Sequence, residues 1–295
     1  MEDIFKNQPA QSQSLLGDYF QFLWKPDLIE APINLGFNRV LNHILRLYTL
    51  HLLTTALIGV AIAQVVTEGD HILYDEVLSE LSVWLVLLLV LILPAVEELI
   101  FRLPLRPSAL GFSIPTSIVI LYLLGLVGVN LAILPVVGLM LLGLNFYLFI
   151  RPLKLPLLER IYGRFSRSIF YISAILFGAI HITNYSGRVW ALMPLLVLPQ
   201  FILGLFLGFV RVRYGFGWAI FAHGFHNGCL IAPLLIILGL ESSKLQSQIG
   251  QGIDFEMLTL LDKLLIIGQG LYFIGGLLFC IITAWKLIRE WQNDS

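Results

Sequence analysis

Charge is what this chain lacks most. Only 13% of its 295 residues are Asp, Glu, Lys or Arg, and 58% are hydrophobic. Soluble domains carry about one quarter charged residues, so a water-facing globule is excluded, and a mean hydropathy of +0.88 places the chain in a bilayer. Cysteine is nearly missing as well. Cys229 and Cys280 are the only two, which rules out a disulfide framework or a cysteine-rich metal site, and both fall in apolar runs as small buried side chains. No basic stripe with interleaved aromatics is present, so nucleic acid is not a partner. A cleaved signal peptide is not expected, because the first apolar run starts late and follows a polar arm. No internal repeat is visible.

What the sequence has instead is apolar runs of membrane length. Crossing about 30 Å of hydrocarbon takes roughly 20 residues of helix. About eight runs qualify, at 47–66, 81–101, 112–128, 130–150, 168–184, 190–210, 216–239 and 264–285. The expected architecture is all-α, a polytopic transmembrane bundle with both termini cytoplasmic. Charge placement agrees with it. The inside segments hold Lys6, Lys25, Arg39, Arg46, Arg102, Arg106, Arg151, Lys154, Arg160, Arg164, Arg167, Arg211, Arg213, Lys286 and Arg289, leaving only Arg188, Lys244 and Lys263 outside. This is the bias of the positive-inside rule. The first outer loop, Glu68 to Glu80, is acidic and has no Lys or Arg.

The chain divides into a cytoplasmic arm, 1–36, and a transmembrane domain, 37–295. In the arm Leu15, Leu16, Tyr19, Phe20 and Leu23 share one helical face, the pattern of a helix lying in the membrane interface. Residues 151–167 read the same way, with Arg160, Arg164 and Arg167 directed at an anionic leaflet. Gly204 and Gly208 form a GxxxG pair that permits close helix packing. His43, His51 and His71 fall at a helix start or in a loop and are expected at the surface.

Against this background three polar clusters stand out. Glu97 and Glu98 sit side by side late in an apolar run, where an acid costs on the order of 2.5–3.5 kcal/mol at a helix centre. Glu98 and Arg102 are four residues apart and share a face, so they can pair. Glu97, rotated by about 100°, is left free. Pro94 removes a backbone donor, which in α-helical register orphans the Val90 carbonyl and favours a kink. The second cluster is Phe177 with His181, again on one face, beside the small Gly178 and Ala179. In the third, His223 and Asn227 stack at four-residue spacing, while His226 is rotated away by about 60°.

If the three helices meet, a carboxylate beside imidazole can activate water as a general base. Imidazole and carboxamide N–H groups can hold an oxyanion. No Ser or Cys stands beside the histidines as a nucleophile. The same residues admit a zinc version, since His₂Glu is a catalytic ligand set that Glu97, His181 and His223 could supply. Intramembrane Glu and His also serve as proton relays, so a proton- or ion-coupled transporter is an alternative, although many transporters show repeats that this chain does not. A non-catalytic scaffold or immunity protein is a third reading.

The motifs Glu97-Glu98-Leu99-Ile100-Phe101-Arg102, Phe177 to His181 and His223 to Asn227 resemble, in residues and order, the CAAX-prenyl-protease and bacteriocin-processing (CPBP or Abi) intramembrane endopeptidases. The resemblance covers about 81–239. It implies a peptidase in which Glu97, helped by His181, activates water and His223 and Asn227 hold the oxyanion. Glu98, Arg102, Phe177 and His226 would be supporting residues. It implies no obligatory cofactor, with zinc as the alternative, and a membrane-anchored or membrane-associated protein or peptide as substrate. In the eukaryotic branch that substrate is a prenylated C-terminal CaaX tail. A bacterial inner membrane is the default location. One conflict accompanies the expected helix limits. Glu97 lies near the cytoplasmic end of its helix and His181 about 13 residues into its own, a mismatch in depth of roughly 10 Å.

Overall fold

The computed structural model describes residues 14–65, 83–130, 132–151, 153, 155–184, 192–238 and 259–294, and its regular structure is entirely helical. The acidic segment 68–80 with His71, most of 241–263, Arg188 and Lys244 lie outside the described residues. The helices are α1 (Leu15–Trp24), α2 (Phe37–Val65), α3 (residues 83–101), α4 (Ala109–Leu126), α5 (Ile133–Ile150), α6 (Pro156–Ile180), α7 (Leu198–Arg213), α8 (Phe216–Leu238) and α9 (Leu260–Asp294). Six stretches among the described residues are long and apolar enough to cross a membrane: Phe37–Val60, Trp84–Leu105, Ala109–Leu126, Ile133–Ile150, Pro156–Asn184 and Gly270–Asn293. The chain is thus a helical membrane bundle. Its outer helices turn Leu, Ile, Phe and Val outward, as a bilayer requires and water would not tolerate.

The short α7 runs through the middle. Leu203, Phe206, Leu207, Phe209, Val210 and Val212 are all buried. Its two glycines do what their spacing expects. A Cβ on Gly204 would stand 3.2 Å from the Ala174 backbone, and one on Gly208 would stand 2.7 Å from the Phe170 ring. Only bare backbone lets α6 and α7 approach this closely, and the approach carries His181 inward.

Three expectations about helix limits change. The amphipathic stretch 151–167 and the run 168–184 belong to one helix, α6, broken at Phe165 (φ −118°, ψ 18°). α2 begins at Phe37 rather than 47, because its polar first turns cap the bundle instead of spanning lipid. The arm's apolar stripe has a protein partner: Leu16, Tyr19 and Phe22 are buried, with Tyr19 edge-on to Phe209 and Phe22 edge-on to Phe170 at ring distances of 5.0 and 5.2 Å. What α1 offers to an interface is Phe20 and Trp24, both exposed.

Polar contacts then strap the segment after α1 across the bundle end. Arg213 reaches Asp18 and Glu30, each at 2.5 Å. The Ile33 N–H donates to the Arg213 carbonyl at 2.8 Å, and the Tyr171 hydroxyl donates to the Leu23 carbonyl at 2.8 Å. Phe20 meets Trp291 at 6.3 Å and Arg46 pairs with Glu290 at 2.5 Å, so the first and last described helices meet at one end of the molecule. Asp18 has its pKa raised by burial, which outweighs the opposing pull of Arg213.

Candidate active site

α3 is not one helix but three pieces: α-helical Val83–Leu87, a π turn Leu88–Ile92, and α-helical Leu93–Phe101. The sequence places Pro94 at the first turn of the last piece, where its missing N–H is ordinarily harmless. The π register changes which carbonyl is orphaned. The Leu93 N–H donates five residues back, to Leu88, so the donor Pro94 lacks would have served Leu89 rather than Val90. The Asn227 side-chain amide fills that gap, donating to the Leu89 carbonyl at 2.9 Å. The Val90 carbonyl instead faces Gly224, where a Cβ would stand only 2.7 Å away. A glycine and a carboxamide on α8 therefore clamp the irregular turn. That fixes the rotation of the segment carrying Glu97 and Glu98.

The clamp brings His223 between the two acids. Its Nδ1 lies 3.0 Å from Glu98 Oε1 and its Nε2 lies 3.5 Å from Glu97 Oε2. An ionised carboxylate can only accept, so the Nδ1–H end of the ring points to Glu98. Glu98 and Arg102 are both wholly buried, and Arg102 Nε stands 3.6 Å from Glu98 Oε1. The sequence expectation of a Glu98–Arg102 pair is thus met with a third member. Glu98 serves Arg102 and His223 at once, so the two acids are joined through one imidazole rather than separated into a tied and a free group.

The guanidinium of Arg102 has no hydrogen bond on any of its three nitrogens among the described residues. It lies instead over the Phe177 ring, 3.8 Å from the centroid, a cation–π contact strengthened by exclusion of water. Phe177 is the hub of the site. Its ring is edge-on to His181 at 4.9 Å and to His223 at 5.6 Å. The His181 Nδ1–H donates to the Phe177 carbonyl at 2.7 Å, which leaves Nε2 as the outward nitrogen.

The expected mismatch in depth disappears because neither helix ends where its sequence suggested. The turn Leu103–Leu105 continues the α3 span four residues past Phe101, and α6 begins at Pro156. Ser173 donates to the Phe101 carbonyl at 2.6 Å, and the Tyr162 hydroxyl donates to the Pro104 carbonyl. These bonds set the two helices in register.

The structure brings together Glu97, Glu98, Arg102, Phe177, His181 and His223, with Asn227 on the rim. It does not bring His226 there. That ring faces α2, with Nδ1 3.2 Å from the Tyr48 hydroxyl and its centroid 5.4 Å from the His51 ring. His51, expected at the surface, is 5% exposed and stacked on Phe206 at 5.8 Å. The three-residue spacing of Tyr48 and His51 within an apolar run was the signal that could have placed them on one buried face. His43 is half-buried, its Nδ1 3.1 Å from the Tyr214 hydroxyl.

For zinc, the donor set was tested directly. No group of three His, Cys, Asp or Glu side chains converges to hold a metal ion among the described residues, and His181 commits Nδ1 to a carbonyl. The residues as placed do not form the ligand set that a His₂Glu zinc site needs. On the far side of Val90 and Gly224 lies an apolar cavity of about 420 Å³, lined also by Leu91, Ile220, Phe221 and Tyr272.

Fold and site together define a class: a polytopic membrane protein with a buried cluster of carboxylates and imidazoles facing an apolar cavity. Comparison with known families narrows it. The chain belongs to the family described as type II CAAX prenyl endopeptidase Rce1-like, whose model matches residues 79–229, just over half of its length. No curated protein and no solved structure matches it. The matched stretch runs from the start of α3 to Cys229 and contains every one of the clustered residues. By family the protein is a CAAX-type intramembrane protease, a hydrolase and a multi-pass integral membrane protein acting on membrane-associated substrates.

Proposed function

We propose that the protein hydrolyses a peptide bond of a membrane-anchored protein by water activation without a metal, with Glu97 as the base. The observation that carries this reading is the position of His223, one ring nitrogen toward each glutamate. Two buried carboxylates and one buried guanidinium leave one negative charge, and a proton shared between Glu97 and His223 Nε2 neutralises it. In the reaction Glu97 takes a proton from water while the water oxygen adds to the scissile carbonyl carbon. That proton then goes to the departing amine as the C–N bond breaks, and the carboxylic acid product forms. His181 Nε2 orients the water. The oxyanion is held by Nε2–H of protonated His223 and by the second amide hydrogen of Asn227, the first being engaged with Leu89. Donors of this kind are worth about 2.7–4 kcal/mol each in the transition state.

Glu98, Arg102 and Phe177 hold His223 and bear no part of the bond making. The apolar cavity beside Gly224 suits the lipid anchor of the substrate, in keeping with a family named for prenylated tails. Eight crossings with both termini in the cytoplasm complete the reading, supported by the meeting of α1 and α9 at one end, with the bacterial inner membrane as the setting. The test compares wild type and Glu97→Gln in nanodiscs on a prenylated CaaX peptide, with and without chelator. Cleavage by wild type alone, insensitive to chelator, is expected. Cleavage retained by Glu97→Gln would sink the mechanism, and loss on chelation with rescue by zinc would replace it with the metal version. Proton-coupled flux lost with Glu97 would instead make the protein a transporter.

A further inference from the structure

Two cations beside the site have no acid of their own. Arg211, at the end of α7, donates from Nε to the Arg102 carbonyl at 3.0 Å. Its two terminal nitrogens make no hydrogen bond among the described residues, and its guanidinium rests 5.2 Å from the Phe216 ring. Arg106, in the turn before α4, gives its terminal nitrogens to the Glu30 and Val212 carbonyls, each at 2.5 Å. Its Nε is buried and unpartnered. Neither side chain has a carboxylate within 4.0 Å, whereas the neighbouring Arg213 has two. Uncompensated, half-buried guanidinium groups are costly and mark a place where an anion is received.

Their position gives the anion a distance from the chemistry. The Arg102 carbonyl stands five residues along α3 from Glu97, about 7–8 Å of helix rise. With its side chain reaching on, Arg211 lies on the order of 10 Å from the Glu97 carboxylate. Three residues of extended peptide span about 10 Å. We propose that Arg211, with Arg106 behind it, receives the free C-terminal carboxylate of the substrate and so fixes cleavage a few residues from the chain end. This rests on the peptidase reading above. It gives that reading an exopeptidase-like ruler without an exopeptidase mechanism: Arg211 positions the tail, and Glu97 acts on the bond one tripeptide away.

The experiment uses the full-length protein in nanodiscs and a fluorescent S-farnesyl CaaX peptide, made once with a free carboxylate and once as its C-terminal amide. Binding is read with Glu97→Gln protein and cleavage with otherwise wild-type protein. The carboxylate form should be favoured by a factor of roughly ten to a hundred, mainly through Kd and KM, as for a charge-assisted contact. Arg211→Gln should reduce that ratio to near one by weakening the carboxylate peptide alone, and Arg211→Lys should restore part of it. Equal handling of both peptides by the parent protein overturns the proposal, and this reading needs no variant to fold. Equal weakening of both by Arg211→Gln also overturns it, by making Arg211 a strut for α3. Anionic lipid that abolishes the difference assigns the guanidiniums to a headgroup. Selective binding without any cleavage would preserve this site and defeat the peptidase reading instead.

Discussion

His223 and His226 are three residues apart on α8, both within the membrane, and they live in opposite surroundings. His223 has a carboxylate at each ring nitrogen, an arginine one contact further and an aromatic ring edge-on. His226 has a phenol and a second imidazole, with no charge of either sign among its printed partners. The first arrangement carries net charge that can be shifted by moving one proton. The second is a neutral polar patch that fills space between α2, α7 and α8. Burial alone therefore says little about a membrane histidine; what faces its two nitrogens decides whether it can work.

That contrast can be broken most sharply at His223. His223→Phe should reduce cleavage by about 10²–10⁴-fold, the usual range for losing an acid–base partner. It should also destabilise the fold, because Glu98 and Arg102 lose a member of a buried network. Initial rates and thermal unfolding in detergent check both. Next in size, Glu98→Gln leaves the Arg102 guanidinium without a counter-charge and should cost about 3–5 kcal/mol of stability. The double change Glu98→Gln with Arg102→Met should recover much of that loss without recovering activity. Asn227→Ala orphans the Leu89 carbonyl and should cost about 1–3 kcal/mol whatever its effect on catalysis. Asn227→Gln or Asn227→Ser would show how far the two roles separate. On the other face, His226→Phe should leave cleavage within a few-fold of wild type and cost about 1 kcal/mol through the Tyr48 hydroxyl. A large loss of rate there would erase the distinction between the two histidines.

The smallest effect concerns the strap. Asp18 holds its proton more tightly in the docked arm than in a free chain. Its contribution to docking is therefore full below the ordinary carboxylate pKa of about 3.9 and is lost as pH rises through the raised value. Proteolytic nicking of the arm should become slower as pH falls through the mildly acidic range. Asp18→Asn should flatten that dependence.

Much of the site was legible before any coordinates. Glu97, Glu98 and Arg102 declared themselves because charge in an apolar run has to be explained, and Phe177, His181, His223 and Asn227 because helical spacing put them on shared faces. Three things were not legible. The π turn was invisible, since a sequence shows Pro94 but not whether the turn before it closes over four residues or five. For that reason Val90 looked orphaned and Leu89 did not. His51 looked superficial because α2 starts ten residues before its apolar run, and an extra three turns of helix bury a position that seemed to sit at an edge. Arg211 gave no signal at all, being one more cytoplasmic arginine among many.

The sequence by itself determined the solvent, the helices and the short list of polar residues. Hydropathy and 3.6-residue periodicity are local properties, and lipid penalises every unpaired charge severely enough to make each one informative. Only the tertiary structure decided partnership: that one imidazole joins both glutamates, that an arginine rests on Phe177, and that His226 looks the other way. Those outcomes depend on how α3, α6, α7 and α8 rotate and slide against each other. That register is set by close contacts at Gly204, Gly208 and Gly224 and by one bond from Asn227, none of which a single helix can specify alone.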